Sequence, residues 1–227
     1  MNRVSFRVLA YTAITVAIVG GMSGCFQDDQ TRTVGYEVPE TVNSLVIEGG
    51  TGDIRVVGGG TGVRVTEHQT YRSTAPAAEH STSAGTLTLS YKCPDGDCGI
   101  GYEVEVPAGT RVRVKDGTGN VHLSGLSGEV EAQTGTGGID AKRMSSDRAS
   151  LSTSTGDVST VFTTQPHTLK ATTSTGNVTV KVPTGDPYAV TATSDTGTVD
   201  QRIAQQPGAA HSIVATTNTG DVRIGNA

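Results

Sequence analysis

The chain has no tryptophan, three phenylalanines and an aromatic content of 4% across its 227 residues. Large aromatic side chains carry much of the buried area of ordinary cores, so a wide globular interior is hard to fill from this alphabet, and a narrow one is indicated. Basic residues are scarce. Arg3 and Arg7 are the only charged residues among the first 24, which leaves fifteen basic against twenty-two acidic side chains and a formal charge of −7 for the remainder. That balance repels phosphate backbones and excludes nucleic acid as a natural partner. No polybasic cluster is available for anionic lipid. The chain also lacks a Gly-x-Ser-x-Gly elbow, and Gly58-Gly59-Gly60-Thr61-Gly62 has no following lysine to make a phosphate loop.

Long apolar runs are missing too, apart from Val8 to Val19, which follows Arg3 and Arg7. Twelve residues cannot span a bilayer as a helix, which needs about 20. The layout is that of a secretory signal peptide covering residues 1–24. Met22-Ser23-Gly24-Cys25 resembles the bacterial lipobox, with Met22 in place of the usual leucine. That resemblance implies lipidation of Cys25, attachment to the membrane through acyl chains alone, a tether over residues 25–34, and residence on the extracytoplasmic face.

Only three cysteines are present. Cys93 and Cys98 frame a short loop, and if they pair, Cys25 is the one left over for lipid. A disulfide there is worth roughly 2 kcal/mol. The alternative, a pair of metal ligands, has no neighbouring histidine to complete a closed site.

What the sequence has in abundance is glycine, thirty residues of it, and much of it recurs in Thr-Gly-X-(Val/Ile). The motif centres on Gly52, Gly119, Gly137, Gly156, Gly176, Gly197 and Gly220, and from Gly119 onward the spacings are 18, 19, 20, 21 and 23 residues. A period near 20 indicates stacked units that bury their apolar faces on one another. Positions seven and five before the glycine are small and apolar, as in Val112/Val114 and Leu169/Ala171, with mostly polar residues between them. That alternation marks a half-buried strand. A second strand starts two residues after the glycine, and Val121, Ile139, Val158, Val178, Val199 and Val222 should form its core ladder. The expected fold is all-β: a single-domain parallel β-solenoid, or β-helix-like stack, over residues 35–227. Residues 63–109 break the period and read as an irregular insert, with Cys93 and Cys98 tying a hairpin tip.

The stretch Tyr102-Glu103-Val104-Glu105-Val106-Pro107-Ala108-Gly109-Thr110, followed by the Thr-Gly-Asp-Val units, resembles the bacterial "putative adhesin" family of β-strand-repeat proteins. The resemblance covers roughly residues 40–227. It implies a surface-attachment role and brings no catalytic residues with it.

Three sets of residues carry candidate chemistry. Asp53, Asp157 and Asp221 follow turn glycines, yet in chain order no two adjacent units both supply a carboxylate, and calcium requires six to eight oxygens. They read as solvated turn residues. Glu129, Glu131, Asp140 and Asp147 are the acids closest in sequence that a carbohydrate-active enzyme could use. The five histidines fall at unrelated offsets from the glycines. No metal, cofactor or catalytic residue is expected. The sequence points to a non-catalytic envelope module, anchored through Cys25, that contacts cell-wall polymer or another envelope protein. A polysaccharide lyase or hydrolase, or a structural subunit that self-associates through solenoid ends, is the alternative.

Overall fold

The computed structural model describes residues 29–227 and the backbone of Ile14–Thr15. The segment read as a signal peptide, and Cys25 with it, otherwise lies outside the described residues. All regular structure among the described residues is strand. In chain order these are β1 (Ile14–Thr15), β2 (Gln30–Val38), β3 (Ser44–Glu48), β4 (Ile54–Gly58), β5 (Val63–Tyr71), β6 (Ala77–Ser83) and β7 (Thr86–Lys92). They continue with β8 (Cys98–Val106), β9 (Arg111–Thr118), β10 (Val121–Ser124), β11 (Val130–Thr136), β12 (Ile139–Met144), β13 (Arg148–Thr155) and β14 (Val158–Phe162). The last six are β15 (Thr168–Thr175), β16 (Val178–Val182), β17 (Tyr188–Thr196), β18 (Val199–Gln201), β19 (His211–Thr219) and β20 (Val222–Asn226).

Two sheets face each other, one of eleven strands in the order β1-β2-β5-β8-β4-β10-β12-β14-β16-β20-β18, the other of nine in the order β17-β19-β15-β13-β11-β9-β3-β7-β6. The strand before each turn glycine lies in the nine-stranded sheet and the strand after it in the eleven-stranded one, so each unit is a two-strand rung that crosses from one sheet to the other at the glycine. Successive rungs pair in parallel: Val112, Val130, Ala149 and Leu169 are in register on one sheet, and Ile54, Val121, Ile139, Val158 and Val178 on the other, with one shift, between Ala141 and Met144, where β12 meets β14. A one-residue slip would turn every apolar side chain to solvent, so the alternating pattern holds the register.

The core runs between the sheets for the length of the stack. Most of its side chains are valine, leucine, isoleucine and alanine, and the largest are Tyr102, Tyr188 and Phe162. Val121, Ile139, Val158, Val178 and Val222 are all within 1% of full burial. Val199 departs from this group at 41% exposed, and the strand order explains it. The Gly220 rung (β19 and β20) sits between the Gly176 rung (β15 and β16) and the Gly197 rung (β17 and β18). The chain therefore places β17 and β18 one position out and returns to fill the gap. Val199 lies in the terminal rung, with no neighbour beyond it among the described residues, and the expectation that units stack strictly in chain order is corrected.

Residues 63–109 are also more regular than the broken period suggests. β7 pairs in parallel with β3, aligning Leu87 with Leu45 and Leu89 with Ile47. β8 pairs in parallel with β4, aligning Tyr102 with Ile54 and Val104 with Val56. The two strands make one further rung. Cys93 and Cys98 are bonded to each other, with their Cα atoms 5.5 Å apart, and their loop stands where other rungs have Thr-Gly-X. It is a corner between sheets, not the hairpin tip expected. Antiparallel strands close this end of the stack: β5 and β2 beyond β8, and β6 beyond β7. The β6–β7 hairpin turns through Ala84 (φ 49°) and Gly85 (φ 75°), the left-handed pair that a two-residue hairpin requires.

Candidate functional surface

The surfaces available for contact include the outer faces of the two sheets and the edge along which the turns stack. The turn edge has the most definite chemistry. All seven turn glycines have φ between +134° and +158°, a region essentially restricted to glycine. Space is a second constraint. A Cβ built on Gly156 would lie 2.2 Å from the carbonyl oxygen of Gly137, in the rung beside it. The stacked glycines are therefore demanded by the approach of neighbouring backbones as well as by backbone angle.

Beside this column runs a ladder of side-chain hydrogen bonds. Asp53 Oδ1 accepts from the Asn120 amide at 2.8 Å, and Asn120 Oδ1 accepts from the Gly138 amide at 2.9 Å. Asp157 Oδ1 accepts from the Asn177 amide at 2.7 Å, and Asn177 Oδ1 from the Asp221 amide at 2.9 Å. Asp221 Oδ1 in turn accepts from the amide and hydroxyl of Thr198, at 3.0 and 2.9 Å. Those Thr198 donors, with Arg223 alongside, hold the Asp221 carboxyl below its ordinary pKa. These residues are structural acceptors, which corrects their reading as merely solvated. Each carboxylate accepts from the backbone amide of a neighbouring rung, and the residues next to it along the edge are Asn, Thr or Gly, so no two like charges stand side by side.

Removing an acceptor while its donor stays exposed costs about 1 kcal/mol. Asp157→Ala should accordingly lower stability by about that amount in urea denaturation, and Asp157→Asn, which keeps the acceptor, should recover most of the loss. Equal stability of Asp157→Ala and the parent chain would mean that the bond to Asn177 contributes nothing.

The sheet faces carry charge in pairs across rungs. Arg113 meets Glu131 at 2.8 Å and Arg111 meets Glu129 at 3.4 Å on the nine-stranded sheet. Lys142 meets Asp140 at 2.6 Å, with His122 at 3.9 Å from the same carboxylate, on the eleven-stranded sheet. Asp147 neighbours Arg148. Of the four acids that glycoside chemistry could use, Glu129 and Glu131 share the face of the nine-stranded sheet and Asp140 lies on the other sheet, each beside a cation, as is Asp147. Toward the β17 end the outer face of the nine-stranded sheet carries a row of hydroxyls, with Ser152, Thr172, Thr216 and Thr193 aligned in adjacent strands and Lys170 exposed on the same face. Among the described residues no group of three or more His, Cys, Asp or Glu side chains could hold a metal ion.

Beside the disulfide corner a cavity of about 410 Å³ is lined by Asp29, Thr51, His68, Arg72, Asp97 and Gly101 among others. Its one guanidinium, Arg72, is held by Asp29 at 3.0 Å and Asp97 at 3.7 Å. Inside the capped end Glu67, 3% exposed, accepts from Tyr36 Oη and from Gln69 Nε2, both at 2.9 Å. One cluster escaped sequence reasoning. The rings of His167 and His211 are 6.3 Å apart, and His211 packs edge-on against Tyr188 at 5.9 Å. Only the insertion of β19 beside β15 brings these together, and no spacing in the chain signals it.

The sequence profile of the Toastrack DUF4097 family matches residues 15–226. The chain belongs to that family. Two crystal structures resemble this Toastrack domain. One is of a "putative cell adhesion protein" from Clostridium sporogenes ATCC 15579, with a TM-score of 0.53, 12% identity, and coverage of 87% of this chain and 100% of the other. The other is of a "putative adhesin" from Bacteroides fragilis NCTC 9343, with a TM-score of 0.50, 14% identity, and coverage of 90% and 100%. At such identities the likeness shows a shared all-β, repeat-like fold. No curated protein matches the Toastrack chain.

Proposed function

We propose that this Toastrack protein is an exported, non-catalytic module of the cell envelope, built as a parallel β-solenoid from Thr-Gly-X-(Val/Ile) units and serving in adhesion or scaffolding. The observation that carries this reading is the use made of the polar residues. The carboxylates closest in sequence, Glu129, Glu131 and Asp140, are each engaged by a cation, and those at the turns accept from backbone amides. What remains for function is extended, regular surface. The crystal structures named for adhesion support the same direction.

Residues 1–24 direct export in this reading, Cys25 carries the lipid, and residues 25–34 lead to the domain. The contact is with cell-wall polymer or another envelope protein. Fractionation of cells making the full chain tests the anchor. The parent chain should pellet with membranes and partition into detergent, and Cys25→Ala should move to the aqueous phase or accumulate with its leader uncut. Detergent partition unchanged by Cys25→Ala with the leader cut in both chains would refute lipidation. Retention of the Cys25→Ala protein on isolated wall material, or its cross-linking to an envelope protein, tests the binding role separately. A result negative in both would count against adhesion, and turnover of an envelope glycan would replace it with an enzyme.

A further inference from the structure

The position three residues before each turn glycine points into the stack at the corner between the sheets. From the Gly137 rung onward it is a hydroxyl that donates to the carbonyl of the turn glycine one rung nearer the capped end. Thr134 donates to Gly119 at 3.1 Å, and Thr153 and Thr173 to Gly137 and Gly156 at 2.9 Å each. Thr217 donates to Gly176 at 2.9 Å and Ser194 to Gly220 at 2.7 Å. Each hydroxyl thereby closes one joint between rungs.

At the Gly119 rung the same position is Asp116, aligned with Thr134. The acceptor that the pattern assigns to it is the carbonyl of Gly52, which lies against Gly119 as Asp116 Oδ2 does. Asp116 is 6% exposed, and neither carboxylate oxygen makes a well-formed hydrogen bond. Its extra length is accommodated by Gly49, where a Cβ would sit 2.3 Å from Asp116 Oδ1. A carboxylate only accepts, whereas a carboxylic acid donates. In this column of donors the neutral form fits and the ionised form does not.

We propose that Asp116 is a proton-operated latch between the capped end of the molecule and its repeat stack, closed when its carboxyl is neutral. The joint is the one where β9 and β10 meet β3 and β4, rungs separated by the whole excursion through β5 to β8. Groups facing it leave the latch to the proton. Thr134 on β11 is uncharged, Asp53 at the start of β4 is an acid, and Lys115 and Arg113 on its own strand are exposed. On β7, Tyr91 has its hydroxyl engaged with the amide and carbonyl of Thr51.

Burial, helped by Asp53 and opposed by the Gly117 amide, pushes the Asp116 carboxyl up to about 6 from 3.8. A native value above the unfolded one means that the contribution to stability is complete below about pH 3.8 and is lost as pH rises through about 6. The joint therefore tightens in acid and loosens near neutrality.

The test compares amide-exchange protection and thermal midpoints of the parent domain, Asp116→Asn and Asp116→Thr from about pH 4 to about pH 7.5. Relative to both variants, the parent should lose on the order of tenfold in protection at Gly49, Gly52 and Thr118 across that window, as one titrating group allows. The variants, neutral and able to donate throughout, should diverge from the parent as pH rises. Asp116→Thr restores the column's own hydroxyl and serves if the amide variant fails to fold. Carbon NMR titration of the parent reads the carboxyl directly. Parallel pH profiles for all three chains, or a carboxyl titrating near 3.8, would overturn the latch. So would stabilisation of the parent alone by added calcium at neutral pH, which would make Asp116 a cation ligand.

Discussion

Replacing Gly156 with valine should destabilise the domain by about 3 kcal/mol or more. Two costs combine. The residue holds φ at +138°, where a β-carbon is strained by about 1–3 kcal/mol. The added atom would also lie 2.2 Å from the Gly137 oxygen and 2.5 Å from its carbonyl carbon. Neither can yield easily, because the Gly137 carbonyl accepts from Thr153 and the Gly156 carbonyl from Thr173. Forcing the rungs apart breaks hydrogen bonds above and below the substitution. Because Cβ itself is the offending atom, Gly156→Ala should already show most of the loss. Gly225→Ala is the control, since nothing lies within 4 Å of a Cβ there, and it should change stability by less than about 0.5 kcal/mol. Urea denaturation of the three chains decides the matter, and a Gly156→Ala chain as stable as Gly225→Ala would show that the turns are loosely stacked.

The rung was legible in the sequence because its signals are local: a period-two apolar pattern, a glycine, and the same pattern again. The order of the rungs was not. Every unit presents equivalent columns, so Val178 can pair as well with Val199 as with Val222, and chain order offers no means of choosing. One trace of the outcome does exist. Four residues past the turn glycine the inward position is Leu123, Ala141, Thr160, Val180 and Ile224, but in the Gly197 rung it is Gln201. A glutamine is costly inside a stack and acceptable at its end, and the structure places it at the end.

The turn edge shows a different kind of gap. That adjacent units lack paired carboxylates was visible in the repeat, but the hydrogen bonds these residues accept across rungs were not. The donor at each step is the backbone amide of the next rung, which Asp221 also supplies, so the alternation of Asp with Asn, Gly or Thr serves to keep like charges apart. The cysteine corner was misplaced for a related reason. A six-residue loop between two strand-like stretches reads as a hairpin when the strands are assumed to pair with each other. Here β7 and β8 belong to different sheets, a fact fixed by their pairing with β3 and β4 far away in sequence.

The inserted rung makes a quantitative contrast between two positions that are equivalent in the repeat. Ile139→Ala should cost about 2–5 kcal/mol, the range for truncating a large aliphatic side chain in a packed core. Ile139 is 1% exposed and flanked in register by Val121 and Val158, so the cavity has walls on both sides that cannot collapse. Val199→Ala removes less surface from a side chain already 41% exposed, with Val222 on one side only, and should cost less than about 0.5 kcal/mol. Val222→Ala separates the two possible orders. Were the rungs stacked in chain order, Val222 would be the exposed end and Val199 the interior. Chemical denaturation of the Val199→Ala and Val222→Ala chains should therefore show the larger loss at Val222, and a larger loss at Val199 would mean that in solution the C-terminal rung lies outermost.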